Sequence, residues 1–419
     1  MRYQPLDLGR WILWGATAIA FIAAPHVFTS SFALTLLTQM GSFIIFALSY
    51  NMLLGQGGML SFGHAVYSGL GAYIAVHALN LIGKGAIVFP VTLLPLVGGL
   101  AGMFFGVLFG YVTTRRAGTT FALISLGIGE MVFACVLMFP GFFGGEAGVS
   151  TNRVVGRPFL GITYGPPTQV YYLVAAWCLI SMAAMYALTQ TPLGRMANAV
   201  RDNPERAEFV GYDTQKVRFL QLVLSSFFAG VSGGLSCINF EIVSAENVSA
   251  LRSGGVLIAT FIGGVPFFFG PILGAILFIF FVAALSGFTK AWLLYLGLFF
   301  VLMVVYAPGG LASLLLMHIP LLRARRLSRL ALPYLLAAGA SALALAGLIG
   351  VVEMVYHLSE VSGGTMMALA GIEFDAHSGT AWTISILLLV AGLAALRFAA
   401  SFFAQRWSAV QLEMQGRSS

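Results

Sequence analysis

Charge is the property that this sequence has least of. Only 8% of the 419 residues are Asp, Glu, Lys or Arg, while 59% are hydrophobic and the mean hydropathy is +0.94. This composition excludes an ordinary soluble domain and indicates a polytopic membrane protein. Because a chain in hydrocarbon must satisfy its own backbone hydrogen bonds, the predicted fold class is all-α.

Cysteine and recognisable catalytic motifs are also scarce. Cys135, Cys178 and Cys237 stand alone in apolar runs, with no metal-binding spacing and no implied pair. The phosphate-binding pattern GxxxxGK[ST] does not occur, so the chain cannot hold ATP phosphates by that device. We find no catalytic triad or redox pair. The sequence therefore predicts no enzyme activity, and no metal or cofactor bound by this chain.

The few basic residues stand in clusters at the ends of apolar runs. The net charge is +7, and Arg115, Arg116 and the Arg323–Arg329 cluster follow such runs. This distribution obeys the positive-inside rule and favours membrane lipid, not nucleic acid, as the partner of these charges. It predicts that both chain termini are cytoplasmic, with the first apolar segment, Trp11–Phe28, as an anchor.

Apolar windows of membrane-spanning length recur along the chain. We predict spans near residues 11–29, 33–54, 62–81, 87–112, 119–140, 170–189, 219–240, 251–264, 268–286, 291–306, 331–352 and 380–403. Residues 251–286 are divided at a Gly/Pro break because a single span would place the Arg323–Arg329 cluster outside. The predicted architecture is a ten-helix core (1–310), a basic cytoplasmic linker (311–330) and a two-helix C-terminal extension (331–419).

Small residues dominate the eleventh predicted span, in Ala337–Gly347. Small side chains let helices approach closely, so this span should pack against another helix. The core, the twelfth span and a second subunit are all open as that partner. On the outer face, the polar loop Gly141–Gln169 is a candidate lid.

The longest strongly polar run covers residues 191–218. Pro192 and Gly194 can open a helix, Asn203 before a proline interrupts it, and Gly211 ends it. We predict two short helices outside the bilayer. On charge pattern alone, this stretch is equally compatible with a solvated loop between two spans.

The order of residues in this run resembles the cytoplasmic coupling loop of ABC importer permeases, most closely the LivM-type subunits of branched-chain amino acid importers. The likeness rests on Pro-Leu-Gly-Arg at 192–195, Ala-Val-Arg-Asp-Asn at 199–203 and Gly-Tyr at 211–212. It implies contact with ATPase subunits through Pro192, Gly194, Arg195, Arg201, Asp202, Asn203, Ala207 and Gly211.

A glycine-rich run, Gly55–Tyr73, separates two apolar stretches. Glycine lets helices approach closely or lets the backbone leave helical geometry, and by spacing alone the run is a packing seam. Its Gly-Gln, Ser-Phe-Gly-His-Ala and Gly-x-Gly-Ala-Tyr sequences resemble the most recognisable motif of the same family. The resemblance implies a translocation pathway that includes Gln56, Ser61, Phe62, Gly63, His64 and Tyr73.

Glu130 is the one acidic residue well inside a predicted span, in a run (115–131) similar to the family's Arg-x-Gly-x-x-Phe-Ala motif. Carboxylates at such depth are costly and often functional, so we add Glu130 to the pathway; a paired structural carboxylate is the open alternative. Two further matches depart from the family pattern. Ala147 stands where an acidic residue is common, and Pro266 where glycine is common.

The resemblance covers about residues 35–310. It implies a permease subunit of an ATP-driven importer for branched-chain amino acids, other amino acids, amides or urea. The implied partners are a second permease subunit, two ATPase subunits that bind ATP and Mg, and a periplasmic solute-binding protein, at a bacterial inner membrane. The alternative is an ion-coupled secondary transporter. That class often carries several ionisable groups near the midplane, whereas in this sequence Glu130 stands nearly alone there.

Overall fold

The computed structural model describes residues 8–156, 161–323, 330–360, 366–369 and 372–415. Within these ranges, nine helices are long and apolar enough to cross a membrane, and one further bent pair, Trp292–Tyr306 with Gly310–Leu321, qualifies when taken together. Two shorter apolar helices cover Trp14–Val27 and Ala250–Gly263. The all-α polytopic fold is therefore confirmed.

The chain forms two compact units, Met1–Phe288 with Leu296–Ser313 and Thr289–Tyr295 with Leu314–Ser419. The first contains α1 (Leu8–Val27), α2 (Ser31–Asn51), α3 (Ala65–Gly83), α4 (Leu94–Thr113), α5 (Thr119–Met138), α6 (Pro140–Phe143), α7 (Pro167–Gln190), α8 (Pro192–Asp202), α9 (Pro204–Phe209), α10 (Thr214–Phe240), α11 (Ala250–Gly263) and α12 (Gly270–Ile279). Residues of α13 (Trp292–Tyr306) and α14 (Gly310–Leu316) belong to both units, and the second contains α15 (Ile319–Arg323), α16 (Ala331–Glu360) and α17 (Gly379–Gln415).

Every predicted span falls on one of these helices, and the predicted division at 263–271 falls between α11 and α12. The largest differences are at the ends of α16 and α17, which continue to Glu360 and Gln415. Arg325, Arg326 and Arg329 lie outside the described residues, so the basic linker stays a prediction, as does the domain boundary at residue 310.

Several helices are extended by tighter or wider turns. A π-helix, Met52–Gln56, continues α2, and another, Phe280–Ala284, continues α12 into a 3-10 turn, Leu285–Gly287. Further 3-10 turns, Val91–Leu93 and Ala245–Val248, precede α4 and α11. Wide turns of this kind are often found at functional sites, and the first of them lies beside the glycine-rich run.

The core of the first unit forms around α10, the most deeply buried span. It packs on α4 with the backbones in close approach, since a Cβ on Gly102 would lie 2.4 Å from the carbonyl oxygen of Ser226. Across its other side, Ser232 donates a hydrogen bond of 2.7 Å to the carbonyl of Ser42 in α2. These contacts make α10 the helix against which the polar run and the glycine-rich run are positioned.

Two connecting loops are joined at the same end of the bundle. Strand β1 (Val149–Ser150) pairs with β2 (Ile242–Val243) in antiparallel register. Arg153 donates from Nε to the carbonyl of Tyr164 at 2.8 Å, and its backbone N–H donates to Glu241 at 2.8 Å. The loop predicted as a lid is therefore tied to the end of α10 by backbone pairing and by this arginine.

The second unit is built on the antiparallel contact of α16 with α17. A Cβ on Gly347 would lie 2.3 Å from the backbone nitrogen of Leu389, so the backbones approach closely. The strands β3 (Met366–Leu369) and β4 (Ile372–Asp375) connect the two helices. Of the partners left open for the eleventh span, α17 is therefore one that it contacts.

The side chain of Glu353 in α16 is held by two hydroxyl groups of the same unit. Thr289 donates to its carboxylate at 2.6 Å and Tyr295 at 2.9 Å. These bonds tie the extension to the start of α13, upstream of the predicted boundary at residue 310. The extension is thus anchored on the segment Thr289–Tyr295.

Candidate functional site

The polar run forms two short capped helices, as predicted. The Thr191 hydroxyl accepts a hydrogen bond from the Gly194 N–H at 3.3 Å and caps α8. The Asn203 side chain accepts one from the Arg206 N–H at 3.0 Å and caps α9. Each cap is followed by proline, which suits the first helical position because it lacks an N–H group. Gly211, at φ 93°, follows α9.

These helices are fixed to the bundle by a small apolar cluster. Ala197 and Val200 of α8, Ala207 of α9 and Val217 of α10 are buried together. Gly194 is required by close packing, because a Cβ there would lie 2.4 Å from the carbonyl oxygen of Leu188. We call the pair α8 and α9 the coupling loop.

The start of α10 fixes the other end of the coupling loop. Asp213 caps α10 by accepting a hydrogen bond of 3.0 Å from the Lys216 N–H, which holds the pKa of its carboxyl below its ordinary value. Thr214 donates to Glu208 at 2.7 Å. Because the pKa of Asp213 is lowered, this cap is intact at neutral pH and weakens only as the pH falls through that lowered pKa.

The predicted coupling residues separate into three groups by burial. Gly194 and Ala207 are buried and hold the loop on the bundle, while Asn203 is half-buried as a cap. The remainder are exposed: Pro192, Arg195, Arg201, Asp202 and Gly211.

The most exposed apolar residues of the coupling loop, Phe209 and Val210, are not among the site residues predicted from the sequence. Phe209, the last residue of α9, is 91% exposed, and Val210, which follows it, is 76% exposed. Adjacent exposed apolar side chains of this kind are typical of a surface that contacts another protein or the membrane. The signal in the sequence was this apolar pair at the end of a short polar helix, at a position where packing in the core does not explain it.

Arg201 connects the coupling loop to the glycine-rich run. Its guanidinium donates to the carbonyl oxygen of Gly55, the residue before the end of the π-helix. The chain makes room for this side chain at Gly58, where a Cβ would lie 2.7 Å from Cγ of Arg201. The Arg201–Asp202 ion pair of 2.9 Å is exposed to solvent and contributes little. The two motifs, far apart in the chain, therefore meet in one place.

A buried amide fixes the same π-helix to α10. Gln221 donates from Nε2 to the carbonyl of Met52 at 2.8 Å and lies 3.4 Å from Oε1 of Gln56. Gln56, predicted as a pathway residue, is therefore a partner in the contact between α10 and the π-helix. A shift of α8 would reach α2 through Arg201, and a shift of α10 would reach it through Gln221.

Between the π-helix and α3, the backbone passes through the bundle interior. The Phe62 N–H donates to the Ser125 hydroxyl of α5, and the Ala65 N–H to the Ser253 hydroxyl of α11, each at 3.0 Å. Ser61 is buried, and its carbonyl accepts from the Tyr50 hydroxyl at 3.0 Å. Side-chain hydroxyls thus replace the helical partners that this stretch of backbone lacks.

His64 is fully buried at the end of this stretch. Its Nε2 lies 3.0 Å from the Ser49 hydroxyl, and its ring stacks on Phe46 with centroids 5.5 Å apart. Its Nδ1 has no hydrogen-bond partner among the described residues. His64 is therefore buried among aromatic side chains.

Two other predicted pathway residues lie apart from His64. Tyr73 is fully buried in α3, with its ring edge-on to Phe143 at 4.9 Å. Glu130 lies on an exposed face of α5, next to Gly129, whose added Cβ would be 3.4 Å from Cα of Gly63. Glu130 is therefore level with the start of α3, but is not buried within this chain. Its role in the pathway stays a prediction.

Gly63 is a packing position by geometry. A Cβ there would lie 2.1 Å from the carbonyl oxygen of Ser125. This backbone atom cannot move aside as easily as the end of a flexible side chain. We expect Gly63→Ala to destabilise the protein by about 1–3 kcal/mol through overpacking. The control is Gly127→Ala on α5, where nothing lies within 4 Å of the added atom. Thermal unfolding in detergent checks the pair; equal melting temperatures would contradict this close approach.

A helical bundle with an internal irregular segment and a capped polar loop is typical of a membrane transport permease. The chain belongs to the family described as branched-chain amino acid transport system, permease component, whose model matches residues 32–307. The likeness inferred from the sequence motifs is thus confirmed, and the matched region ends before α16.

Several branched-chain amino acid transport permeases are similar to this chain. The high-affinity branched-chain amino acid transport system permease protein LivM of Escherichia coli is 28% identical over 290 residues, which cover 64% of this chain and 67% of that protein. LivM of Salmonella typhimurium has the same identity and coverage. The probable permease protein LivH of Methanocaldococcus jannaschii is 24% identical over 218 residues, 51% of this chain and 67% of that protein. The chain matches no solved structure.

Proposed function

We propose that this chain is a transmembrane subunit of an ATP-driven importer for branched-chain amino acids. Family membership and the transport roles of the similar permeases support the solute class. The observation that carries the mechanism is the Arg201–Gly55 contact, since it connects an exposed polar loop to the interior segment. Other amino acids, amides and urea are further candidate solutes.

The proposed assembly contains a second permease subunit, two ATPase subunits that bind ATP and Mg, and a periplasmic solute-binding protein. It lies in the inner membrane, with both termini and the coupling loop in the cytoplasm. Closure of the ATPase subunits on ATP moves the coupling loop. Through Arg201 and Gln221 that movement shifts the π-helix at the end of α2, and the pathway alternates between the two sides. ATP binding and solute affinity are then coupled reciprocally.

The energy source distinguishes this proposal from ion-coupled transport. In cells that carry this chain with its partner subunits, leucine uptake should stop when ATP is depleted and persist after a protonophore is added. The same cells with an ATPase subunit that cannot hydrolyse ATP provide the control. Uptake that survives ATP depletion and collapses with the protonophore would identify a secondary transporter instead.

Truncation after Arg326 should leave a working importer. It removes α16 and α17, which pack on each other and lie beyond the region matched by the family. We expect the truncated chain to retain the ATPase subunits and part of the leucine uptake. Glu353→Gln in the full chain is the control, because it weakens the bonds to Thr289 and Tyr295 without removing the helices. Complete loss of uptake in a truncated complex that still assembles would show that the extension belongs to the mechanism.

A further inference from the structure

The start of α11 lies deep in the bundle. The Ser253 hydroxyl accepts the hydrogen bond from Ala65 at the start of α3, and the preceding turn contacts α3 at Gly69, where a Cβ would lie 2.3 Å from Cγ1 of Val248. Near the other end of α3, Asn80 donates to the carbonyl of Ser150 in β1 at 3.1 Å. Because α3 rises about 1.5 Å per residue, Ala65 lies about 22 Å along the helix from Asn80 and therefore from the level of β1. The chain after α10 therefore runs from the level of β1 and β2 back to the level of Ala65, where α11 begins.

Arg252 stands at this depth, next to Ser253. Its guanidinium lies over the Phe46 ring, 5.8 Å from the centroid, and Phe46 in turn stacks on His64. Its Nε is buried and has no hydrogen-bond acceptor among the described residues. Glu246, in the turn before α11, acts on its charge from beyond ion-pair distance, and no carboxylate in those residues forms an ion pair with it. A charge this far inside a membrane protein is costly unless an anion accompanies it.

The surroundings of Arg252 also favour an anion. The N-termini of α3 and α11 both lie at this level, and helix N-termini carry partial positive charge. In transporters, broken helices place such ends near the midplane, where they bind anionic groups of the solute. Leu251 is 81% exposed and nothing lies within 4 Å of a Cβ on Gly254, so the first turn of α11 is open on one side.

We propose that Arg252 binds the carboxylate of the transported amino acid at the middle of the pathway. This inference rests on the proposed function, and it identifies the group that recognises the solute. The guanidinium supplies two parallel N–H donors to a carboxylate, which a lysine cannot do. Phe46 provides the apolar surface beneath that pair.

Charge rescue tests this assignment. Arg252→Cys is made in a Cys135→Ser background and assembled with its partner subunits in vesicles. Losing a charge-assisted hydrogen bond should lower leucine uptake about tenfold or more. A positively charged aminoethyl methanethiosulfonate should then restore uptake several-fold, whereas the negatively charged sulfonatoethyl and the neutral hydroxyethyl reagents should not. Arg115→Cys, another arginine over an aromatic ring, is the matched control and should keep full uptake before and after each reagent.

The outcomes separate the two levels of the proposal. If the unaltered complex shows no ATP-dependent uptake of leucine, the proposed function fails. If it does, wild-type uptake by Arg252→Cys, or equal rescue by the neutral reagent, overturns the assignment of Arg252. Loss of the second permease from the purified complex would also overturn it, since Arg252 would then pair with an acidic group of that subunit. Should the cysteine variant not assemble, Arg252→Lys decides: uptake several-fold lower with unchanged ATP hydrolysis is expected, and unaltered uptake contradicts the assignment.

Discussion

Replacing Phe209 by aspartate is expected to release the ATPase subunits from the membrane complex. Phe209 is 91% exposed and makes almost no contribution to the packing of its own chain. Burying a phenylalanine in an interface contributes about 1.5–3 kcal/mol, so its loss weakens association about tenfold or more. An aspartate would in addition place an unpaired charge in that contact. Co-purification of the ATPase subunits with the tagged permease provides the measurement.

Phe209→Leu is the matched control for this result. It keeps an apolar side chain at the end of α9 and should retain the ATPase subunits nearly as well as the original chain. Since an exposed position contributes little to folding, both variants should show the same thermal unfolding in detergent. Equal retention of the ATPase subunits by Phe209→Asp and Phe209→Leu would show that the exposed apolar tip is not the docking surface.

Replacing Arg201 by alanine is expected to separate ATP hydrolysis from transport. The Arg201 guanidinium donates to the carbonyl of Gly55, which joins the coupling loop to the π-helix. A hydrogen bond from a charged donor contributes about 1.5–3 kcal/mol, so uptake should fall about tenfold or more. ATP hydrolysis and retention of the ATPase subunits should stay within about twofold, because the exposed tip is untouched. The measurement is the ratio of leucine uptake to phosphate release on the same vesicles, and Arg201→Ala should lower it.

Asp202→Ala controls for the neighbouring ion pair. It removes the exposed contact of 2.9 Å with Arg201 and leaves the Gly55 contact available. Such surface pairs contribute at most about 1 kcal/mol, so uptake should change little. If Arg201→Ala instead releases the ATPase subunits as Phe209→Asp does, Arg201 is a docking residue, as the family resemblance implies, and not a link to the pathway.

Local sequence signals predicted the helices well. The spans follow from windows of apolar residues, and the break between α8 and α9 follows from Asn203 before a proline, a cap that acts over three residues. The short span that became α11 followed from counting charges on each side of the membrane. Each of these features can be predicted because it depends only on neighbouring residues or on the order of segments along the chain.

The contacts that join distant segments were not predictable in the same way. Arg201 and Gly55 are 146 positions apart, and Ser253 and Ala65 are 188 apart. Nothing in the local pattern distinguishes an arginine whose guanidinium contacts a distant backbone carbonyl from one on a fully solvated face. For the same reason, the sequence placed Glu130 well inside a span but could not show that it lies on an exposed face of α5. Arg252 was overlooked because the depth of α11 depends on the returning chain after α10.

In the proposed function, this chain carries branched-chain amino acids across the membrane as part of an ATP-driven complex. The most direct test is reconstitution of the chain with its second permease subunit and both ATPase subunits in vesicles, with the binding protein loaded with radiolabelled leucine on the outer side. We predict that leucine accumulates in the vesicles against its gradient only when ATP and Mg are enclosed in the lumen with the ATPase subunits. No accumulation is expected when the binding protein is omitted. Accumulation that ignores ATP, or the absence of any leucine transport in a complex that hydrolyses ATP and binds the loaded protein, would contradict this account.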